Sequence, residues 1–90
     1  MLQPELTKVC AELIDNLNGL LGKHVQTTRL TLGPSLTHGS NVVVEVVGTA
    51  TATKPNTLHV INMDGMSTEL AVDYLTCKLH GIVATVLANL

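Results

Sequence analysis

Apolar and small residues recur with a period of two from Val42 to Thr53. The even positions, Val42, Val44, Val46, Gly48, Ala50 and Ala52, carry no polar side chain; the odd ones are Val43, Glu45, Val47, Thr49, Thr51 and Thr53. That pattern predicts a long strand with one face given wholly to a core and the other half solvated. Lys54-Pro55-Asn56 is a turn signal, and Thr57 to Met63 returns as the next strand. A three-residue loop pairs Thr53 with Thr57. It sets Leu58 opposite Ala52, Val60 opposite Ala50 and Asn62 opposite Gly48, so large residues meet small ones on the core side. The outward side then carries Val43, Val47, Ile61 and Met63, with His59 beside Thr51.

A period between three and four governs both ends of the chain. Leu6, Val9, Cys10, Leu13, Ile14, Leu17, Leu20 and Leu21 predict an amphipathic helix over Pro4–Leu21, with Lys8, Glu12, Asp15 and Asn16 on its other side. Pro4 suits the first turn, Glu5 the positive dipole end, and Gly22 a stop. His24 to Leu32 favours extended structure with weak alternation, as an edge strand guarded by Arg29 would. Gly33-Pro34-Ser35 and His38-Gly39-Ser40-Asn41 predict a loop over 33–41. Asp64 or Ser67 caps a last helix running to Leu90. One of its faces is Met66, Leu70, Tyr74, Cys77, Gly81, Ala84 and Ala88. The second is Val72, Leu75, Leu79, Ile82, Val83, Val86 and Leu90. A helix apolar almost all round is expected to be buried on most sides, and at about 36 Å it crosses the sheet or reaches a second subunit.

The order is α-β-β-β-α in a single domain over 1–90. The expected fold is α+β: a two-layer sandwich, with a three-stranded antiparallel sheet and two helices on one face. The other sheet face is left open and apolar.

Composition sharpens that picture. The chain has no Trp or Phe and one Tyr, and only 13% of its residues are charged, against about a quarter in typical domains. A chain this short buries only about 60–65% of its unfolded surface and gains from oligomerising. The net charge is −2 and the five basic residues are scattered, without the basic patch of a nucleic-acid or acidic-membrane binder. No leader pattern or apolar run of bilayer length stands out. Cys10 and Cys77 therefore read as free thiols of a cytoplasmic protein.

Candidate chemistry is sparse. Cys77 and His80 lie three apart on a helix, half of a zinc site, and Cys10 with His24 or His59 would have to complete it. The packing alternative, in which Cys10 and Cys77 are small core residues touching across the helices, is preferred. A Cys77–His80 nucleophile lacks any marked oxyanion site or orienting group. Glu45 reads first as a solvent charge that discourages aggregation and second as a registry charge at a subunit interface, paired with Arg29 or His59. His38 is the residue of loop 33–41 to suspect of ligand contact. Asp64-Gly65-Met66-Ser67 caps a helix better than it binds an anion, since Asp64 puts negative charge there. Gly33-Pro34-Ser35 is no phosphate loop.

The element order resembles that of double-stranded-RNA-binding domains and of the signal recognition particle Alu-domain proteins. The resemblance stops at order: where the RNA-binding domains carry a lysine cluster, this chain has the acidic Asp64-Gly65-Met66-Ser67-Thr68-Glu69, which repels phosphate. Type III secretion chaperones and small virus-encoded proteins share the composition, without a motif in common. The expectation is a non-enzymatic homo-oligomer, dimer or larger, acting as an adaptor, chaperone or assembly component. It needs no cofactor, metal or membrane. Its partner-binding residues are Val43, Val47, Ile61 and Met63 on the sheet and Ile82, Val83, Val86 and Leu90 on the last helix. The alternatives are nucleic-acid binding by an assembled oligomer, and a thiol or metal site.

Overall fold

A computed structural model describes residues 4–25, 27–38, 41–48 and 56–89, with 33–38 described by backbone only. The order is α1 (Pro4–Gly22), β1 (Arg29–His38), β2 (Asn41–Val47), β3 (Thr57–Asn62) and α2 (Thr68–Ala88). The strands form an antiparallel sheet in the order β1-β2-β3, and the fold is α+β as the sequence pattern predicts.

One core explains the two layers. Leu6, Cys10, Ile14, Leu17 and Leu21 form the buried stripe of α1, and Ala71, Leu75, Leu79, Ile82 and Val83 that of α2. Both stripes share one cluster with Leu30, Val42, Val44, Val46, Ile61 and Met63. Both helices therefore cover the same sheet face, where the even valines of β2 are sealed from water. Ser67 is the residue that caps α2, its Oγ accepting from the Leu70 N–H at 3.2 Å.

Four expectations are corrected. The helix–strand border falls later than His24, because the His24 and Val25 amides donate to the Leu21 carbonyl, at 2.9 and 2.7 Å, and prolong the helical end. Residues 33–38 are strand rather than loop. Leu32 pairs with Val44 and Thr37 with Val42, so a bulge takes up the extra residues between them; Pro34 is tolerated in a bulge, where the ladder is already interrupted. The long strand stops at Val47, since Gly48 has φ +89 and a Cβ there would collide with the Thr27 carbonyl. Residues 49–55 lie outside the described residues, and with them positions 49–53 of the expected strand 42–53 and Lys54-Pro55 of its turn.

The fourth correction is the register of β3. Val42 pairs with Ile61, Val43 with Val60, Val44 with His59 and Glu45 with Leu58. Leu58, Val60 and Asn62 are therefore partnered by Glu45, Val43 and Asn41, in place of the expected Ala52, Ala50 and Gly48. The shift from the expected register is an odd number of residues, since Leu58 meets Glu45 and not Ala52, and an odd shift turns every side chain to the other face. Ile61 and Met63, expected outside, are therefore in the core at 3% and 2% exposure. The physical reason is Asn62. The expected register buries its amide, which is costly without partners. The observed one leaves Asn62 exposed, with its Oδ1 accepting from the Asp64 N–H at 2.9 Å.

The outer edge of β1 is closed by a side chain. Asn18 of α1 donates Nδ2 to the Leu30 carbonyl at 2.9 Å and accepts the Leu30 N–H on Oδ1 at 2.6 Å. One amide thus stands in for a neighbouring strand and ties helix to sheet.

Asn18→Ala is expected to cost about 1–3 kcal/mol, through the two Leu30 groups left unpaired. Gly48→Ala is expected to destabilise by more than about 1 kcal/mol. Gly19→Ala, at an exposed helical position with nothing within 4 Å of the added Cβ, is expected to stabilise by about 0.5–1 kcal/mol. Urea unfolding midpoints at constant m-value check all three.

Candidate functional site

Strand alternation fixes what the uncovered sheet face presents. With Leu30, Val42, Val44, Val46 and Ile61 turned inward, the outward positions are Arg29 and Thr31 on β1, Val43, Glu45 and Val47 on β2, and Leu58 and Val60 on β3. Leu58 and Val60 are 58% and 66% exposed. Val43 and Val47 are half-buried by their cross-strand neighbours. Val43 faces Val60 directly, so the patch is continuous across the two strands.

The charges on this face are few. Glu45 is half-buried between Thr31 and Leu58, its pairing partners on either side. Arg29 is paired with Val47, one step diagonal from Glu45, a separation of about 7–8 Å between backbones. No ion pair joins the two among the described residues. His59, the other partner considered for Glu45, sits opposite Val44 on the core side, and so is turned away from it. At the hairpin end of the same strand, the buried Oδ1 of Asn41 has no hydrogen-bond partner.

The last helix is distributed differently from expectation. Ile82 and Val83 are buried within the chain's own core and Val86 packs partly against it. They are therefore not available as a free surface in the single chain. Leu90 lies outside the described residues. The exposed side is the other apolar line, with Leu70 at 53% exposure and Cys77, Gly81, Ala84 and Ala88 open to solvent. The helix is thus buried on one side, not most. It is also long and apolar enough, by length and composition alone, to cross a membrane, contrary to the expectation that no segment approaches this. Its most apolar positions are already committed to the core shared with α1 and the sheet.

The thiols are separated. Cys10 is buried and Cys77 exposed, so the expected contact between two core cysteines is replaced by one core cysteine and one on the surface. Burial pushes the Cys10 thiol upward, away from the thiolate a nucleophile or metal ligand requires. His80 is exposed, with Nδ1 2.8 Å from the Thr76 carbonyl of its own helix. Among the described residues no three or more His, Cys, Asp or Glu side chains converge in a way that could hold a metal ion. The side chain of His38 is outside the described part.

No family model matches this sequence, and comparison with curated proteins and with solved structures finds no match either. The surface itself is thus what bears on function, and the outward sheet face is its most distinctive feature. A three-residue hairpin loop turns Leu58 and Val60 inward, whereas the observed register turns them outward. The signal that could have exposed them was Asn62, whose amide is a poor core residue.

The two thiols are expected to react at very different rates in the folded protein. Cys77 should be modified promptly by a maleimide or an aromatic disulfide, and Cys10 only at the rate of unfolding. Mass spectrometry with and without denaturant checks this.

Proposed function

We propose that this chain is a small, non-enzymatic interaction module that assembles with itself through the outward sheet face. In the cytoplasm it would serve as an adaptor, chaperone or assembly component. The observation that carries the reading is the exposure of Leu58 and Val60 beside Val43 and Val47, on a sheet whose opposite face is already filled.

Each such side chain contributes about 1.5–3 kcal/mol on full burial. Leu58 and Val60, the two exposed ones, together with the smaller gain from the half-buried Val43 and Val47, are a large term for a domain whose whole stability is about 5–15 kcal/mol. Apolar surface gathered in one patch and rimmed by polar groups is the usual mark of a protein contact. Here Thr31, Asn41 and Asn62 supply the rim. The scattered lysines favour a protein partner over nucleic acid, for which a concentrated positive field is the driving term.

Size-exclusion chromatography with light scattering is expected to give a dimer or larger species at micromolar concentration. Val47→Lys combined with Val60→Lys should reduce it to a monomer that keeps its far-UV circular dichroism. Leu70→Lys, on the exposed side of α2, should leave the mass unchanged. A monomeric parent protein would refute the reading. A mass lost only with Leu70→Lys would move the contact to the helix.

A further inference from the structure

We infer that the occupant of the outward sheet face is a second copy of this chain, related by a two-fold axis that passes between Arg29 and Glu45, so that each guanidinium binds the other copy's carboxylate. This deepens the proposed self-association and rests on it. The inference starts from charge. Among the described residues, Arg29 and Glu45 are the only charged side chains on this face, they are opposite in sign, and they stand one diagonal step apart. Among the described residues neither has an ion-pair partner within the chain.

Glu45 is the decisive group. It is half-buried on the central strand, flanked along that strand by Val43 and Val47 and paired with Leu58. Any apolar surface laid over those residues also covers the carboxylate. Covering a carboxylate is unfavourable unless a cation arrives with the covering surface. His59 cannot supply it, because its position opposite Val44 turns it toward the helices. Arg29 of the same copy lies beside Glu45 rather than above it. The Arg29 of a second copy can approach from above, and its planar fork suits a carboxylate.

Two-fold symmetry makes the arrangement self-consistent. In an isologous contact, if position 29 of one copy meets position 45 of the other, the reverse contact exists too. A single Arg–Glu pair of opposite sign thereby yields two intermolecular pairs and leaves neither charge alone. Val43, Val47, Leu58 and Val60 then close around them as the apolar part of the contact. The pairs select this registry over others, because a shifted packing would cover Glu45 with valine or leucine.

Charge reversal tests this with an internal control. Arg29→Glu alone and Glu45→Arg alone each bring like charges together at both contacts, and each should weaken the dimer by on the order of 100-fold or more. Mixing the two singly substituted chains restores opposite charges at both contacts, so a 1:1 mixture should form a heterodimer although neither chain pairs by itself. The chain carrying both reversals should regain self-association to within about tenfold of the parent. Sedimentation velocity with one chain fluorescently labelled reads all three, and circular dichroism verifies folding. If a reversed chain fails to fold, Arg29→Gln and Glu45→Gln in a double-mutant cycle measure the same coupling. A parent dimer indifferent to the single reversals, or a mixture that stays apart, overturns the two-fold pairing and leaves self-association standing. A parent chain that never dimerises overturns both.

Discussion

The structure depends on the inward valines of β2. Val42, Val44 and Val46 sit at 0–2% exposure beneath both helices, and they occupy every second position of the central strand. Once they are fixed, strand geometry dictates the other face. Glu45 must point away from the core, and Val43 and Val47 must go with it. A side chain cannot be moved between layers without a shift of register that would expose the whole buried set. The open apolar face is thus a direct consequence of how the core is built.

The remaining elements serve that arrangement. Asn18 closes the edge of β1 and anchors α1 across the sheet. Gly48 takes the chain out of β2 in a conformation closed to other residues at that spot. The Asp64-Gly65 turn, with Gly65 at φ +77, brings the chain from β3 to the Ser67 cap of α2. Without Phe or Trp, the core spends the long stripe of α2 on itself. Among the described residues the sheet has one layer of cover where a larger domain would have two.

The amphipathic stripe of α1 was legible in the sequence because five buried positions repeat at near-ideal spacing. The inward face of β2 was equally legible, since three valines alternate with an acid at its centre. The register of β3 was not. Thr57–Met63 mixes apolar and polar residues on both sides, His59 on one and Asn62 on the other, so periodicity alone fits either face. The observed register keeps the Asn62 amide out of the core and leaves His59 half-buried on the core side. Where β2 ends was hidden for a related reason. Gly48 fits the small-residue alternation that continues through Ala50 and Ala52, and its positive φ comes from the close approach of Thr27, a contact no local pattern announces. The C-terminal residues Ile82 and Val83 were assigned to an interface because α2 looks apolar all round. Which side faces inward is decided by the packing of α2 against α1 and the sheet, and that is tertiary information. The apolar character of the outward sheet face was foreseen, although two of the four residues giving it that character were not.

The central claim is that a second surface covers Leu58, Val60, Val43 and Val47 in solution. Methyl NMR with a soluble paramagnetic probe measures this directly. The account predicts that the methyl signals of Leu58 and Val60 are shielded from the probe at high protein concentration and become broadened on dilution, while that of Ile61 stays shielded throughout. Leu58 and Val60 signals broadened equally at every concentration would contradict it.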